Sequence, residues 1–380
     1  MTTNFVNFYQ LKVLAIADIH LTGEGYNTPQ YIALNNALEV IEKDIDLVVV
    51  VGDVYDSVST VQQRSAFKEW VVKCLNKCDV VVLRGNHDQR GDLGSFLSNT
   101  KGAMGNCYVI DDRPNKIYLE NLDLDIYGLP HIGIGQLMGY GNNNGEDLNK
   151  VGNHYLDSVI KGWALEIKES KHKSLCLFHG VVSGAKLDNG YIPRDNGIHL
   201  TKKQIESLRC PVACGHYHQY QKVAKNAFYS GSPARKNFGE SDGDKGCLVY
   251  EYKDNEWLEP VFHSLNPQKM LLAECVWKDG HWEYDRHYKQ DEIKNAVIRV
   301  RFKINIDQVS EASASIKLIE DKFKSADSIK LERIIESVVA SRCSDIAITQ
   351  TIKESLVIWL QQSNRDPNDF IHLLDMVLET

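Results

Sequence analysis

The sequence predicts an α/β protein whose ligand site lies at the carboxyl ends of its strands. Three observations predict it. Apolar runs rich in β-branched residues alternate with helical stretches through the first 265 of 380 residues. Five of those runs end in a polar cluster: Asp18-Ile19-His20, Gly52-Asp53, Arg84-Gly85-Asn86-His87-Asp88, His179, and Gly215-His216-Tyr217-His218. Ligands of open α/β sheets bind outside the carboxyl ends of the strands, where these clusters fall.

The elements follow in order. Residues 13–17 read as a first strand. Thr28 is a candidate N-cap with Pro29 at the first helical position. Leu47–Val51 is wholly apolar and reads as a strand buried on both faces. Thr60 opens the next helix, and Gln63 completes a capping box. Residues 80–83 form another buried strand, 116–129 a hairpin and 151–170 a helix. Residues 132–153 have Gly or Asn at 11 of 22 positions and read as a surface loop. No helix with a following Lys-Thr or Lys-Ser accompanies them, so they are not a phosphate-cradling loop. Residues 174–178 lead into His179. Thr201 and Gln204 form a second capping box, and 211–214 lead into His216 and His218.

The composition changes after about residue 265. Residues 296–306 alternate strictly, with Ile298, Val300, Phe302, Ile304 and Ile306 against Arg299, Arg301, Lys303 and Asn305. Ile316, Ile319 and Phe323 have helical spacing. Residues 329–335 read as a second strand, with Ile329, Leu331, Arg333 and Ile335 on one face. Ile352, Leu356, Trp359 and Leu360 mark a helix. Asp366-Pro367-Asn368-Asp369 caps a last one bearing Phe370, Leu373, Leu374 and Val377.

Composition excludes several classes. The chain is 43% hydrophobic and 25% charged, which is globular rather than disordered. No apolar run approaches the roughly 18–20 residues of a membrane-spanning helix, so no membrane association is expected. Residues 1–10 lack a secretory pattern. Nine cysteines, an odd number, point to reduced thiols and a cytoplasmic location. Cys74/Cys78 and Cys210/Cys214 read as core, with Cys74 and Cys78 on a helix, rather than as a zinc knuckle. The net charge is −8, yet residues 151–250 hold 14 basic and 9 acidic side chains. An anion-facing surface and an ordinary solvated one both fit that local excess.

Divalent cations need oxygen and imidazole ligands held rigidly. The strand ends supply Asp18, His20, Asp53, Asn86, His179, His216 and His218. Asp18 and His20, at i and i+2, share a face of extended chain, and the same spacing orients His216 and His218 together. Asp-x-His is expected about once by chance in such a chain, Gly-His-x-His about 0.03 times and Gly-Asn-His-Asp about 0.005 times. A single histidine is more often a surface or core residue. This ordered set at strand ends points to a metal centre.

Asp18-x-His20, Gly52-Asp53-x-x-Asp56, Gly85-Asn86-His87-Asp88, His179 and Gly215-His216-x-His218 resemble, in order, the calcineurin-like metallophosphoesterase superfamily. Residues 51–56, 82–88, 229–235 (Tyr-Ser-Gly-Ser-Pro-Ala-Arg) and 237–240 (Asn-Phe-Gly-Glu) resemble the SbcD nuclease branch, bacterial or phage. The resemblance implies a four-layer β-sandwich flanked by helices over residues 1–265. It further implies an α/β DNA-capping domain over 266–345 and a helical partner-docking segment over 346–380, whose apolar stripe could otherwise pack on its own chain. It implies two divalent cations, manganese by preference, with magnesium, iron or zinc also compatible. One would be held by Asp18, His20, Asp53 and His218, the other by Asp53, Asn86, His179 and His216, with Asp53 bridging. His87 would contact the phosphate and protonate the leaving oxygen. Asp56 or Asp88 would orient a catalytic imidazole, with turn-residue or cap roles as the alternative. The implied activity is DNA exonuclease with endonuclease capacity; a phosphoesterase of the same superfamily acting on a small molecule or a phosphoprotein, and a non-catalytic DNA-end-binding scaffold, are the alternatives. The implied partners are DNA, an SbcC-type SMC-like ATPase docking on the C-terminal helices, and a second copy of the chain. Lys186, Arg194, Arg235 and Lys236 are candidate phosphate contacts. Arg299 and Arg301 either grip a duplex or face solvent.

Overall fold

The computed structural model describes residues 10–23, 25–42, 44–133, 147–187, 190–194, 197–240, 243–305, 308–336, 352–362 and 366. The chain divides into two compact units. The first is Met1–Leu272, Lys289–Ile298 and Ser325–Ser328; the second is Ala273–Tyr288, Arg299–Lys324 and Ile329–Thr380.

The first unit holds two large sheets. One runs β14 (Glu256–Trp257), β13 (Gly246–Lys253), β1 (Leu11–Ile16), β2 (Leu47–Val51), β3 (Asp79–Leu83), β4 (Cys107–Ile110), with β15 (Val261–Ser264) also on β13. The other runs β11 (Gln221–Ala224), β12 (Ala227–Tyr229), β10 (Val212–Gly215), β7 (Lys173–His179), β6 (Leu124–Leu129), β5 (Asn115–Leu119). A short ribbon pairs β8 (Val181–Val182) with β9 (His199–Leu200). Strands β1 to β4 are mutually parallel, as are β6, β7 and β10. The carboxyl ends within each set therefore lie on one side.

Three apolar layers follow from the two-residue period of the strands. Leu14, Ile16, Val48, Val50, Val80 and Val82 face Leu34 of α1 (Pro29–Ile41) and Phe67 and Trp70 of α2 (Val61–Leu75). The alternate residues, Val13, Ala15, Val49, Val81 and Leu83, meet Ile126, Leu175, Leu177 and Ala213 of the second sheet. That sheet's other face, with Tyr127, Cys176, Phe178 and Cys214, packs on Leu156 and Ile160 of α4 (Leu148–Glu169) and Ile205 of α5 (Lys202–Ser207). A short α3 (Asp92–Leu97) lies between β3 and β4. The order is helix, sheet, sheet, helix, and the expected four-layer α/β fold is present. Each fully buried Val, Leu or Ile contributes about 1.5–3 kcal/mol, so these layers dominate its stability.

The helix starts match their caps. Thr28 accepts from the Tyr31 N–H at 3.2 Å, and Thr60 and Thr201 each form a capping box with Gln63 and Gln204. Two details differ from the sequence reading. Helix α4 begins at Leu148, inside the Gly/Asn-rich stretch, because the Asp147 side chain accepts from the Asn149 N–H at 3.0 Å. Cys78 lies in the turn beyond α2, not on it; it is buried, as is Cys74, and every described cysteine is a free thiol.

The second unit centres on a sheet ordered β17 (His281–Tyr284), β16 (Met270–Lys278), β18 (Val297–Asn305), β19 (Ser328–Glu336). Ile298, Val300, Phe302 and Ile304 are buried on one face of β18. Helix α6 (Gln290–Ile293) belongs to the first unit; helices α7 (Val309–Ala314) and α8 (Ile316–Lys322) follow β18, with Ile319 and Phe323 buried. On the edge strand β19, Ile335 is 47% exposed. Helix α9 (Ile352–Gln362) is present, with Leu360 buried and Trp359 exposed. The last expected helix lies outside the described residues.

Candidate metal centre

The loops after β1, β2, β3, β7 and β10 bring the seven expected ligands into one centre. The two sheets are tied there directly: the His179 Nδ1–H donates to the Val51 carbonyl at 2.8 Å. Glycines permit the close approach. A Cβ on Gly52 would stand 2.1 Å from His179 Nδ1, and one on Gly85 would stand 2.1 Å from Asp53 Oδ1. Asp18, His20 and Asp53 have φ of +52°, +51° and +50°. Non-glycine residues enter this left-handed region at a cost of order 1 kcal/mol each, and such strain concentrates at functional sites. Asp18 and His20 therefore converge through two left-handed turns, not through the extended i, i+2 geometry expected.

Three groups place their donor atoms within 4.8 Å of one another: Asp18, His20 and His218; Asp53, His179 and His216; and His20, Asp53 and His87. His216 and His218 fall in different groups, as the resemblance implies, and not together as their spacing alone suggests. His20 Nε2 and His218 Nε2 are 3.0 Å apart. The Asn86 Oδ1 is 3.0 Å from His179 Nε2 and 2.8 Å from His216 Nδ1. Asp53 lies between, with Oδ2 3.7 Å from His20 Nε2 and Oδ1 3.4 Å from His179 Nε2. Ligand atoms about 2.1 Å from a common cation sit about 3.0–3.4 Å apart, so these spacings and this mixed N/O donor set fit a dinuclear centre. The backbone holds both carboxylates: His216 N–H donates to Asp18 at 2.8 Å and His87 N–H to Asp53 Oδ1 at 2.8 Å.

Electrostatics point the same way. Burial pushes Asp18 up to about 7 and pushes His20 and His216 down to about 3, leaving neutral imidazoles with lone pairs to offer. Burial alone would raise Asp53 and lower His179. Their mutual attraction wins, holding Asp53 well below the usual carboxylate range and lifting His179 to about 9. A carboxyl kept half-protonated near neutrality is one that a bound cation would ionise.

The remaining candidate residues divide. Asp56 reaches His87 through its carbonyl, 2.6 Å from Nδ1, while its carboxylate lies 3.3 Å from His20 Nδ1 and pairs with Lys236. Lys236 is thus at the rim of the centre. Asp88 contacts no imidazole in the described hydrogen bonds. It is buried and accepts from the Tyr55 and Gly85 N–H groups, which makes it a brace between loops. Arg235 turns its guanidinium onto the carbonyls of Gly243 and Gln268, at 2.9 and 3.4 Å. Lys186 and Arg194 are exposed on a loop after β8. On β18, Arg301 Nε donates to Glu332 at 3.2 Å, with Glu274 at 3.7 Å, and Arg299 lies 3.9 Å from Glu332. That basic face is already countered by carboxylates of β16 and β19.

Three residues near the centre escaped the sequence reading. His131 stacks on His216 with centroids 6.2 Å apart, and burial lowers it to about 4. Glu240 accepts from His218 Nδ1 at 2.9 Å, and buried Lys245 pairs with Glu240 at 2.8 Å. Glu240 stood in the 237–240 run without a role; nothing in local sequence places His131 or Lys245 here.

The calcineurin-like phosphoesterase family matches residues 11–220, which contain every one of these ligands. The chain belongs to that family. This phosphoesterase is 24% identical over 326 residues to the D subunit of the nuclease SbcCD of Staphylococcus epidermidis, covering 81% of this chain and 83% of that one. Similar solved structures include TT1561 of Thermus thermophilus, at TM-score 0.39 and 9% identity, covering 68% of this chain and 100% of that one. Another is the purple acid phosphatase PPD1 from yellow lupin (Lupinus luteus) seeds, at TM-score 0.40 and 13% identity, covering 69% and 53%.

Proposed function

We propose that this phosphoesterase is a DNA nuclease that uses two divalent cations, preferably manganese, and works beside an SbcC-type ATPase. The observation that carries the reading is the placement of Asp53, whose two carboxylate oxygens face two separate imidazole groups. The similarity to one component of a nuclease over most of both chains supports DNA as the substrate.

Asp18, His20 and His218 would hold one cation, Asn86, His179 and His216 the other, and Asp53 both. The pair would supply positive charge to polarise the phosphate and stabilise the attacking and leaving oxygens. The protein's own groups do the rest. His87 gives Nδ1 to the Asp56 carbonyl, which leaves Nε2 to carry a proton to the leaving oxygen. Lys236, paired with Asp56 at the rim, would turn to a neighbouring phosphate only by leaving that carboxylate, and Lys186 and Arg194 extend a basic surface. The 151–250 excess of base and the two cations offset the chain's net charge of −8 for a polyanionic substrate. Residues 266–345 act as a capping domain and 346–380 as the docking segment for the ATPase, in a homodimer. Among the described residues no helix is long and apolar enough to cross a membrane. A cytoplasmic place, in a cell or a phage-infected host, accords with the free thiols.

The test is end-labelled linear duplex with manganese, with and without chelator, beside a chromogenic phosphodiester and a phosphopeptide. Shortening of the DNA only when cation is present supports the proposal. Hydrolysis of the phosphopeptide with the DNA left intact would replace it with a phosphoprotein phosphatase.

A further inference from the structure

Resting on the two-cation reading, we propose that Glu240 and Lys245 form a positioning clamp that makes the Asp18/His20/His218 cation site depend on a buried carboxylate. The other site has no such partner among the described residues. His218 faces the centre with Nε2, 3.0 Å from His20 Nε2. A ring nitrogen can bind a cation only if it carries no proton, and the partner of the other nitrogen decides which one does. That partner is Glu240 Oε1, 2.9 Å from His218 Nδ1. A carboxylate there holds the proton on Nδ1, bares Nε2 and strengthens it as a ligand.

The carboxylate is itself held in place. Glu240 Oε2 takes the Lys245 ammonium at 2.8 Å and the Lys236 N–H at 3.1 Å. The same ammonium donates to the His218 carbonyl at 2.9 Å. Ring, carboxylate, ammonium and carbonyl therefore close a loop on one histidine, gripping its side chain and its backbone together. Glu240 is 3% exposed and Lys245 1%. Burying such a pair brings little net stability, so we read the clamp as setting a geometry.

His20, in the same site, also has a carboxylate behind it, Asp56 at 3.3 Å from Nδ1, whereas the imidazoles of the other site have none among the described residues. His179 Nδ1 donates to a neutral backbone carbonyl, and His216 Nδ1 faces Asn86. The two sites therefore differ in kind: one is tuned by an anion behind its ligand, the other by strand geometry.

The experiment uses the full chain and manganese alone, measured by titration calorimetry and by counting bound ions. Two double variants keep the buried charge balanced. Glu240→Leu with Lys245→Met removes the acceptor, whereas Glu240→Gln with Lys245→Met retains a neutral one. The first should weaken one of the two binding events about 10–100-fold and leave the other unchanged. The second should recover only part of that loss, because a neutral acceptor keeps the proton on Nδ1 without the carboxylate's charge. Nitrogen-15 NMR of the cation-free wild-type chain should show His218 protonated at Nδ1, and this needs no variant to fold. A bare Nδ1 with the proton on Nε2, or folded variants with both affinities intact, overturns the clamp. A wild-type chain that binds no manganese overturns the two-cation reading itself.

Discussion

The strand-end centre and the basic face of β18 are both rows of polar side chains displayed by strands. On β18, each cation faces a carboxylate on a flanking strand: Arg301 and Arg299 meet Glu332, and Lys303 lies 3.6 Å from Glu274. In the centre, imidazole nitrogens face one another and an amide oxygen at 2.8–3.0 Å, around a carboxylate between them. The β18 face pairs cation with carboxylate, whereas the centre converges lone pairs that a bound cation could share in place of protons. A polar cluster calls for a ligand where its own neighbours leave it electrically incomplete, and residue type alone does not reveal which case holds.

Four experiments break or sharpen this contrast. Asp53→Ala should have the largest effect, lowering activity on the order of a thousandfold or more and emptying both sites, as read by ion content per chain. Full occupancy of either site would contradict the bridging role. His87→Ala comes next, with a loss of about 10²–10⁴-fold while both cations remain bound. Loss of ions in that variant would make His87 a ligand.

The third is pH dependence. In the cation-free chain, Asp18 at about 7 and His179 at about 9 both hold protons that a cation must displace. Affinity at the Asp18 site should fall as pH drops below about 7, by up to about tenfold per unit. The His179 site should keep gaining affinity up to about pH 9. Proton release, measured in buffers of different ionisation enthalpy, checks the sign. The stability linkages also differ. Asp18, raised on folding, disfavours the cation-free fold as pH rises from about 4 to about 7. His179, also raised, favours the fold below its unfolded value, a contribution lost as pH climbs towards about 9.

The smallest effect is expected on β18. Arg299→Ala with Arg301→Ala should change stability by within about 1 kcal/mol, as for partly exposed pairs. The salt dependence of DNA binding should not change. A fall of about 0.9 per arginine in the logarithmic salt slope would show that the strand grips phosphate.

Much of the molecule is legible locally. Caps at Thr28, Thr60 and Thr201 are set by a side chain and the next three residues, and the apolar run Leu47–Val51 allows only a doubly buried strand. The seven ligands are legible because each follows such a strand and parallel strands end on one side. The rest is long-range. Whether Arg301 is bare or countered depends on Glu332, 31 positions away, and Lys245 meets its partner His218 carbonyl across 27.

By itself the amino-acid sequence determined the alternation of strand and helix, the two faces of each strand and the candidate ligand types, because these depend on neighbours a few residues apart. Tertiary structure alone decided which carboxylate stands behind each ring and which arginines are already neutralised. Those outcomes rest on distances of a few ångströms between segments far apart in the chain, and only packing sets such distances.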